Sequence, residues 1–228
     1  MGTPRMKNPW KEWVSETIGT ALLLAAVVGS GIMGERLAMG NTAIALLANT
    51  LATGAALVAL ILAFGPISGA HFNPVVSLCD AWAGGLPWRK VPAYVSAQVL
   101  GAFLGVAAAN VMFDLPVYSA SRHARHGTGQ WFSEFVATFG LLSVIWGCSR
   151  SRRSAVPFAV GAYITAAYWF TASTSFANPA VTLARSASDT FAGIRFADAP
   201  GFILAQLLGA FAATALFKWL SPAQEASP

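Results

Sequence analysis

Two asparagine–proline pairs, Asn73-Pro74 and Asn178-Pro179, sit where their chemistry suits their neighbours least. The first lies in Ser68-Gly-Ala-His-Phe-Asn-Pro-Val75 and the second in Thr174-Ser-Phe-Ala-Asn-Pro-Ala180, each between apolar stretches. Proline removes a backbone donor and clashes with the preceding helical turn. An asparagine amide needs partners that hydrocarbon cannot supply. Together they suit one place, the start of a helix, where Asn caps and Pro fills the first position. The chemistry available there is not bond-making. It is the presentation of amide donors and the partial positive charge of a helix N-terminus to whatever passes. Two further polar groups stand in otherwise charge-free runs, Glu16 and Glu134, with Thr20 and Thr138 one turn on along the same faces. Ionisable groups in such runs are costly unless paired. No nucleophile–base pair, metal-ligand cluster or nucleotide motif accompanies them, so the reading is not an enzyme and no cofactor or metal is expected.

The elements that must position these residues are membrane helices. Only 10% of the 228 residues are charged and 56% are hydrophobic, with a mean hydropathy of +0.59, far from a soluble composition. Charge-free stretches predict six spans: Val14–Met33, Thr42–Phe64, Val91–Phe113, Gln130–Ser149, Ser154–Thr174 and Ala199–Phe217. Two shorter apolar segments, Asn73–Ala83 and Asn178–Thr190, begin at the Asn-Pro pairs and reach only halfway across a bilayer. The first apolar run is too long for a cleaved signal and reads as the first span. Cys79 and Cys148 lie in apolar surroundings and read as small buried hydrophobes.

The halves repeat. Glu16-Thr-Ile-Gly-Thr20 matches Glu134-Phe-Val-Ala-Thr138, the Asn-Pro boxes match, and Ala97-Gln-Val-Leu-Gly-Ala-Phe103 matches Ala205-Gln-Leu-Leu-Gly-Ala-Phe211. Residues 1–228 form one domain, with one repeat over about 12–113 and the other over about 130–219. Three spans per repeat, an odd number, turn the second copy upside down. The expected class is all-α: six transmembrane helices and two re-entrant half-helices whose N-termini meet near the midplane. Broken backbone at that depth lines a watery cavity or is buried in protein. Nine Lys and Arg fall on the side of the termini and five on the other, which predicts cytoplasmic termini. The net charge of +5 is that of membrane orientation, not of nucleic-acid binding. Gly101, Gly105, Gly209 and Ala213 fit close helix packing.

The paired boxes, the preceding Ser-Gly-Ala-His-Phe and the Glu-x-x-x-Thr repeat resemble the aquaporin (major intrinsic protein) family across nearly the whole chain. The first box ends in Val75 where the family usually has alanine. The resemblance implies a pore in each subunit of a homotetramer, in a plasma (inner) membrane, passing water or small uncharged solutes without ions. Asn73, Pro74, Asn178 and Pro179 would form its midpoint, Glu16 and Glu134 would hold the re-entrant loops, and His71 would stand at a pore mouth. Carbonyls of Gly69, Ala70, His71, Ser175, Phe176 and Ala177 would form an acceptor ladder. Most relatives carry arginine three residues after the second asparagine, where this chain has Val181. Arg185 lies one turn further on, and the sequence alone does not let it substitute. Counting from the boxes puts the other constriction positions at Thr53, Ser175, and Thr165 or Ala166. All are small and uncharged, which predicts a wide filter for glycerol, polyols and neutral metalloid hydroxides such as arsenite or antimonite. The opposing possibility is that Phe72, Phe176 or Tyr168 turns inward and narrows it. An ion-coupled secondary transporter is the alternative function, since those also use inverted repeats and broken helices. His123 and His126 read as part of a solvated outer loop rather than a metal site.

Overall fold

The long charge-free runs are rich in Ala, Leu and Val and close their own backbone hydrogen bonds as helices, the solution hydrocarbon requires. The computed structural model describes residues 9–220. Its helices are α1 (Pro9–Leu37), α2 (Thr42–Ser68), α3 (Pro74–Ala83), α4 (Val91–Met112), α5 (Thr128–Ser151), α6 (Val156–Phe170), α7 (Pro179–Arg185) and α8 (Ala199–Leu220). Five of them, α1, α2, α4, α5 and α8, are long and apolar enough to cross a bilayer. Helix α6 is shorter than the predicted fifth span. Its 15 residues cover roughly 22 Å. It stops at Phe170 because Thr171 turns to extended backbone, φ −110° and ψ 138°, and leads the chain back inward. The second half-helix likewise ends at Arg185 rather than at Thr190.

Packing follows the sequence repeat. Helix α1 lies against α2 and α4, and α5 lies against α6 and α8 in the same relation. Half-helix α7 packs on α4 and α3 packs on α8, so each repeat's short helix leans on the other repeat's last long one. Helices α2 and α6 close the seam between the halves. The crossing of α1 and α4 is tight because Gly101 and Gly105 lie against backbone: an added Cβ would fall 2.3 Å from the Thr17 carbonyl oxygen and 2.2 Å from that of Ala21. Gly209 meets the Phe135 carbonyl of α5 in the same way, at 2.4 Å. Leu100 and Leu208, equivalent positions in the two repeats, are exposed on the outer faces of α4 and α8, which suit lipid rather than water.

Overpacking a tight contact costs about 1–3 kcal/mol. Gly105→Leu therefore lowers the melting temperature of the purified protein in detergent. Gly65→Ala is the control, because nothing lies within 4 Å of a Cβ there. It leaves melting unchanged or raises it, since alanine is the better helix former by about 0.8–1.0 kcal/mol.

Candidate functional site

Each re-entrant loop is a run of unusual backbone. Ala70 and Phe72 have φ of 51° and 49°, and Ser175 and Ala177, at the same offsets before the second asparagine, have 48° and 49°. Left-handed backbone at a residue with a Cβ costs about 1–2 kcal/mol, so something must hold it. The glutamates do. Glu16 accepts the backbone N–H of His71 at 3.0 Å and of Phe72 at 2.7 Å. Glu134 accepts those of Phe176 and Ala177, both at 2.8 Å. Both carboxylates are fully buried. A glutamine from the last long helix of each repeat completes the arrangement, Gln98 on Glu16 at 2.8 Å and Gln206 on Glu134 at 2.6 Å. The same glutamines donate to Ser77 and Thr182, each one turn past its asparagine. The sequence reading marked the glutamates but missed Gln98, Gln206, Ser77 and Thr182. The repeated Ala-Gln motif was the signal that could have found the first two.

The asparagines cap as expected. Asn73 Oδ1 accepts from Val75 N, and Asn178 Oδ1 from Ala180 N and Val181 N. Pro74 and Pro179 occupy the first helical turns. Each asparagine also reaches across the pseudo-symmetry axis. Asn73 Nδ2 donates to the Ala177 carbonyl and Asn178 Nδ2 to that of Phe72, both at 2.8 Å. An amide nitrogen carries two hydrogens, so this tie leaves each asparagine one donor. Both residues border a cavity of about 970 Å³. At the end nearer the termini the cavity is lined by Trp146, Arg150, Arg153 and Lys218, and at the other by Thr53, Tyr168, Ser175, Val181 and Arg185. His71 borders it on the termini side, its Nδ1 3.0 Å from Ser77 Oγ and its Nε2 3.6 Å from Asp80.

The outer end departs from the counted register. Thr165 does not border the cavity. Its Oγ1 donates to the Gly161 carbonyl at 2.8 Å, and its side chain fills the α2–α6 seam against Gly54. Ala166 faces outward. The α6 residues that border the cavity are Val156, Val160, Ile164 and Tyr168, a strict four-residue spacing. Tyr168 thus stands where Thr165 or Ala166 was expected, with its hydroxyl 3.4 Å from Thr53 Oγ1. Counting failed because α6 ends early and the connection to Asn178 differs in length. Thr53, Ser175 and Val181 do border the cavity, as do Phe72 and Phe176. The outer end therefore combines small residues with Tyr168, one of the aromatics named as able to turn inward.

A strap between α4 and α5 covers this end. Arg122 donates from its backbone and from Nε to Asp189, at 2.9 and 2.8 Å. Those bonds hold the Asp189 carboxyl below its usual range. Asp198 also lies below that range. Burial raises it, but Arg195 and the Arg125 backbone N–H more than offset this. Arg125 turns inward from the strap. Its Nε donates to the Gly193 carbonyl at 2.8 Å, its Nη1 approaches that of Ser173 at 3.3 Å, and its Cζ lies 5.1 Å from the Phe176 ring centre. Burial brings its pKa down to about 10. The guanidinium of Arg185 lies over the same ring at 3.4 Å, and its Nε donates to the Ala192 carbonyl. Arg125 carried no sequence signal, because nothing in a loop's composition shows that it folds inward.

The major intrinsic protein family model matches residues 4–172 and 151–227. The chain is 59% identical over 207 residues to the aquaglyceroporin AqpS of Rhizobium meliloti (strain 1021), covering 91% of this chain and 88% of that one. It is 31% identical over 184 residues to aquaporin NIP3-1 of Arabidopsis thaliana, covering 75% of this chain and 56% of the plant protein. Its fold matches the crystal structure of the aquaglyceroporin from Plasmodium falciparum with a TM-score of 0.76 at 23% identity, over 94% of this chain and 98% of that one.

Charge-assisted hydrogen bonds of this kind are worth about 1.5–3 kcal/mol each. Glu134→Gln keeps the shape but turns one acceptor into a donor facing the Ala177 N–H, the Phe176 N–H or Gln206. The variant melts at a lower temperature, and its water flux per molecule falls. Equal melting and flux in variant and wild type would show that the loop stands without the carboxylate.

Proposed function

The chain belongs to the major intrinsic protein family, and we propose that it acts as a passive channel for water, glycerol and related small uncharged solutes. It is a membrane channel protein, not an enzyme. The observation that carries the reading is the cavity itself, which runs past both Asn-Pro pairs and is bordered by polar groups from both re-entrant loops. A solute entering it exchanges water for the loop carbonyls and for the remaining amide donors of Asn73 and Asn178. The N-termini of α3 and α7 add positive potential at the same level and oppose cations. Glu16 and Glu134, the acids a coupled transporter would need, are already committed to backbone and glutamine donors. That supports a channel over the transporter alternative.

The outer end supports glycerol in particular. Tyr168 and Val181 offer apolar surface to a carbon backbone, while the Thr53, Tyr168 and Ser175 hydroxyls offer partners to its oxygens. Neutral metalloid hydroxides present the same compact set of hydroxyls, so arsenite and antimonite belong to the same solute class. In this reading the protein is a homotetramer in the plasma (inner) membrane with cytoplasmic termini. The excess of basic residues on the termini side supports the orientation, and exposed apolar residues such as Leu100 and Leu208 give lipid or neighbouring subunits a surface to cover.

Proteoliposomes given an inward glycerol gradient test this by stopped-flow light scattering. Fast shrinkage followed by fast reswelling is the expected trace. Tyr168→Ala speeds the reswelling and lets a longer polyol such as erythritol through. Vesicles that shrink and reswell no faster than protein-free ones would overturn the channel reading.

A further inference from the structure

We infer that Arg185 supplies, from one turn further along α7, the positive charge and hydrogen-bond donor that this outer constriction lacks at Val181. The inference rests on the channel reading and deepens it. Side chains on a helix lean toward its N-terminus, so a long residue covers the turn before its own. The N-terminus of α7 is Asn178, at the centre of the molecule. Arg185 therefore reaches back over the turn that holds Val181, and it borders the same cavity as Thr53, Tyr168, Ser175 and Val181.

The guanidinium is fixed in place. Its Nε is bonded to the Ala192 carbonyl, its Cζ lies 3.4 Å from the centre of the Phe176 ring, and the residue is 2% exposed. Among the described residues, however, its Nη1 has no hydrogen-bond partner, nor has Ser175 Oγ on a residue beside the same cavity. A buried donor left unsatisfied is costly, more so when charged. Both atoms are buried, but both belong to residues that border one cavity, where an oxygen from water or from a hydroxylated solute would supply the missing partner.

The charge also has no ion-pair partner. Among the described residues the ion pairs of this face are Arg122–Asp189 and Arg195–Asp198, and neither includes Arg185 or Arg125. The nearby Glu134 acts on both guanidiniums through space, but its oxygens are bonded to Phe176 N, Ala177 N and Gln206 and touch neither arginine. Arg125, its side chain bonded to neutral oxygens near the same ring, adds a second cation. Its pKa of about 10 keeps it charged at neutral pH. This explains two oddities of the sequence together. A short valine at 181 leaves room for a guanidinium arriving from 185, and a phenylalanine at 176 gives it a flat surface to lie on. Held flat, the arginine adds charge while projecting little bulk into the opening.

The test uses the full chain in proteoliposomes, with water flux and proton and sodium leak measured on the same vesicles. Arg185→Val raises the ratio of ion leak to water flux about tenfold or more. Arg185→Lys, which keeps charge but not stacking, stays tight to ions. The double variant Val181→Arg/Arg185→Val moves the charge back one turn and restores ion exclusion. Unchanged leak in Arg185→Val with water flux intact would overturn the inference and leave Arg185 as a peg for the Ala192 segment. If Arg185→Val loses its water phase, the double variant decides. Recovery of water flux with a low leak supports the inference, and failure to recover refutes it. Wild-type vesicles without a fast water phase would instead count against the channel.

Discussion

Two buried carboxylates hold this protein's centre in shape. Glu16 and Glu134 each take a pair of adjacent amide N–H groups from a backbone with alternating left-handed residues. Without such an acceptor those amides would face hydrocarbon or each other, and the strain in the loops would be free to relax. Everything functional hangs on these two clasps. They aim the asparagines, start the half-helices and set the carbonyls of the loops along the cavity. The cost of burying a charge is met by four donors at Glu16 and three at Glu134, which fill all but one of their roughly eight acceptor sites.

What the sequence made legible was everything written twice. The Glu, Asn-Pro and Ala-Gln motifs recur in order, so the repeat, the two half-helices and the clasps could be read from residue types and spacing alone. What it concealed was written once. The α6 register depended on the length of one connection, and Tyr168 rather than Thr165 came to the cavity because the helix ended at Phe170. The direction in which a long side chain leans is a property of the helix, not of the residue, and Arg185 was discounted by counting turns without it. Arg125 came from a strap whose path is set by the Arg122–Asp189 and Asp198 contacts, all distant in sequence.

The two ends of the cavity contrast in how they carry charge. On the termini side Arg150, Arg153 and Lys218 sit with Asp80 and His71 in a mixed environment. On the other side, the guanidiniums of the two inward-facing arginines share one phenylalanine ring and bond only to neutral oxygens. Aromatic faces attract cations, so Phe176 lets two guanidiniums share a small volume with no carboxylate bonded to either. A carboxylate there would cancel the field that opposes cations, which gives the aromatic residue a physical role distinct from packing.

The reciprocal asparagine ties bear on how the chain is made. Asn73 finds its acceptor at Ala177, over a hundred residues later, and Asn178 finds its own back at Phe72. A nascent chain whose first repeat has left the ribosome therefore holds a loop with an unmet donor and an unmet carbonyl, at a depth where water is scarce. That repeat has no complete form of its own. Its loop gains those two bonds only once residues 177 and 178 are in place, so the centre of the first repeat is completed together with that of the second.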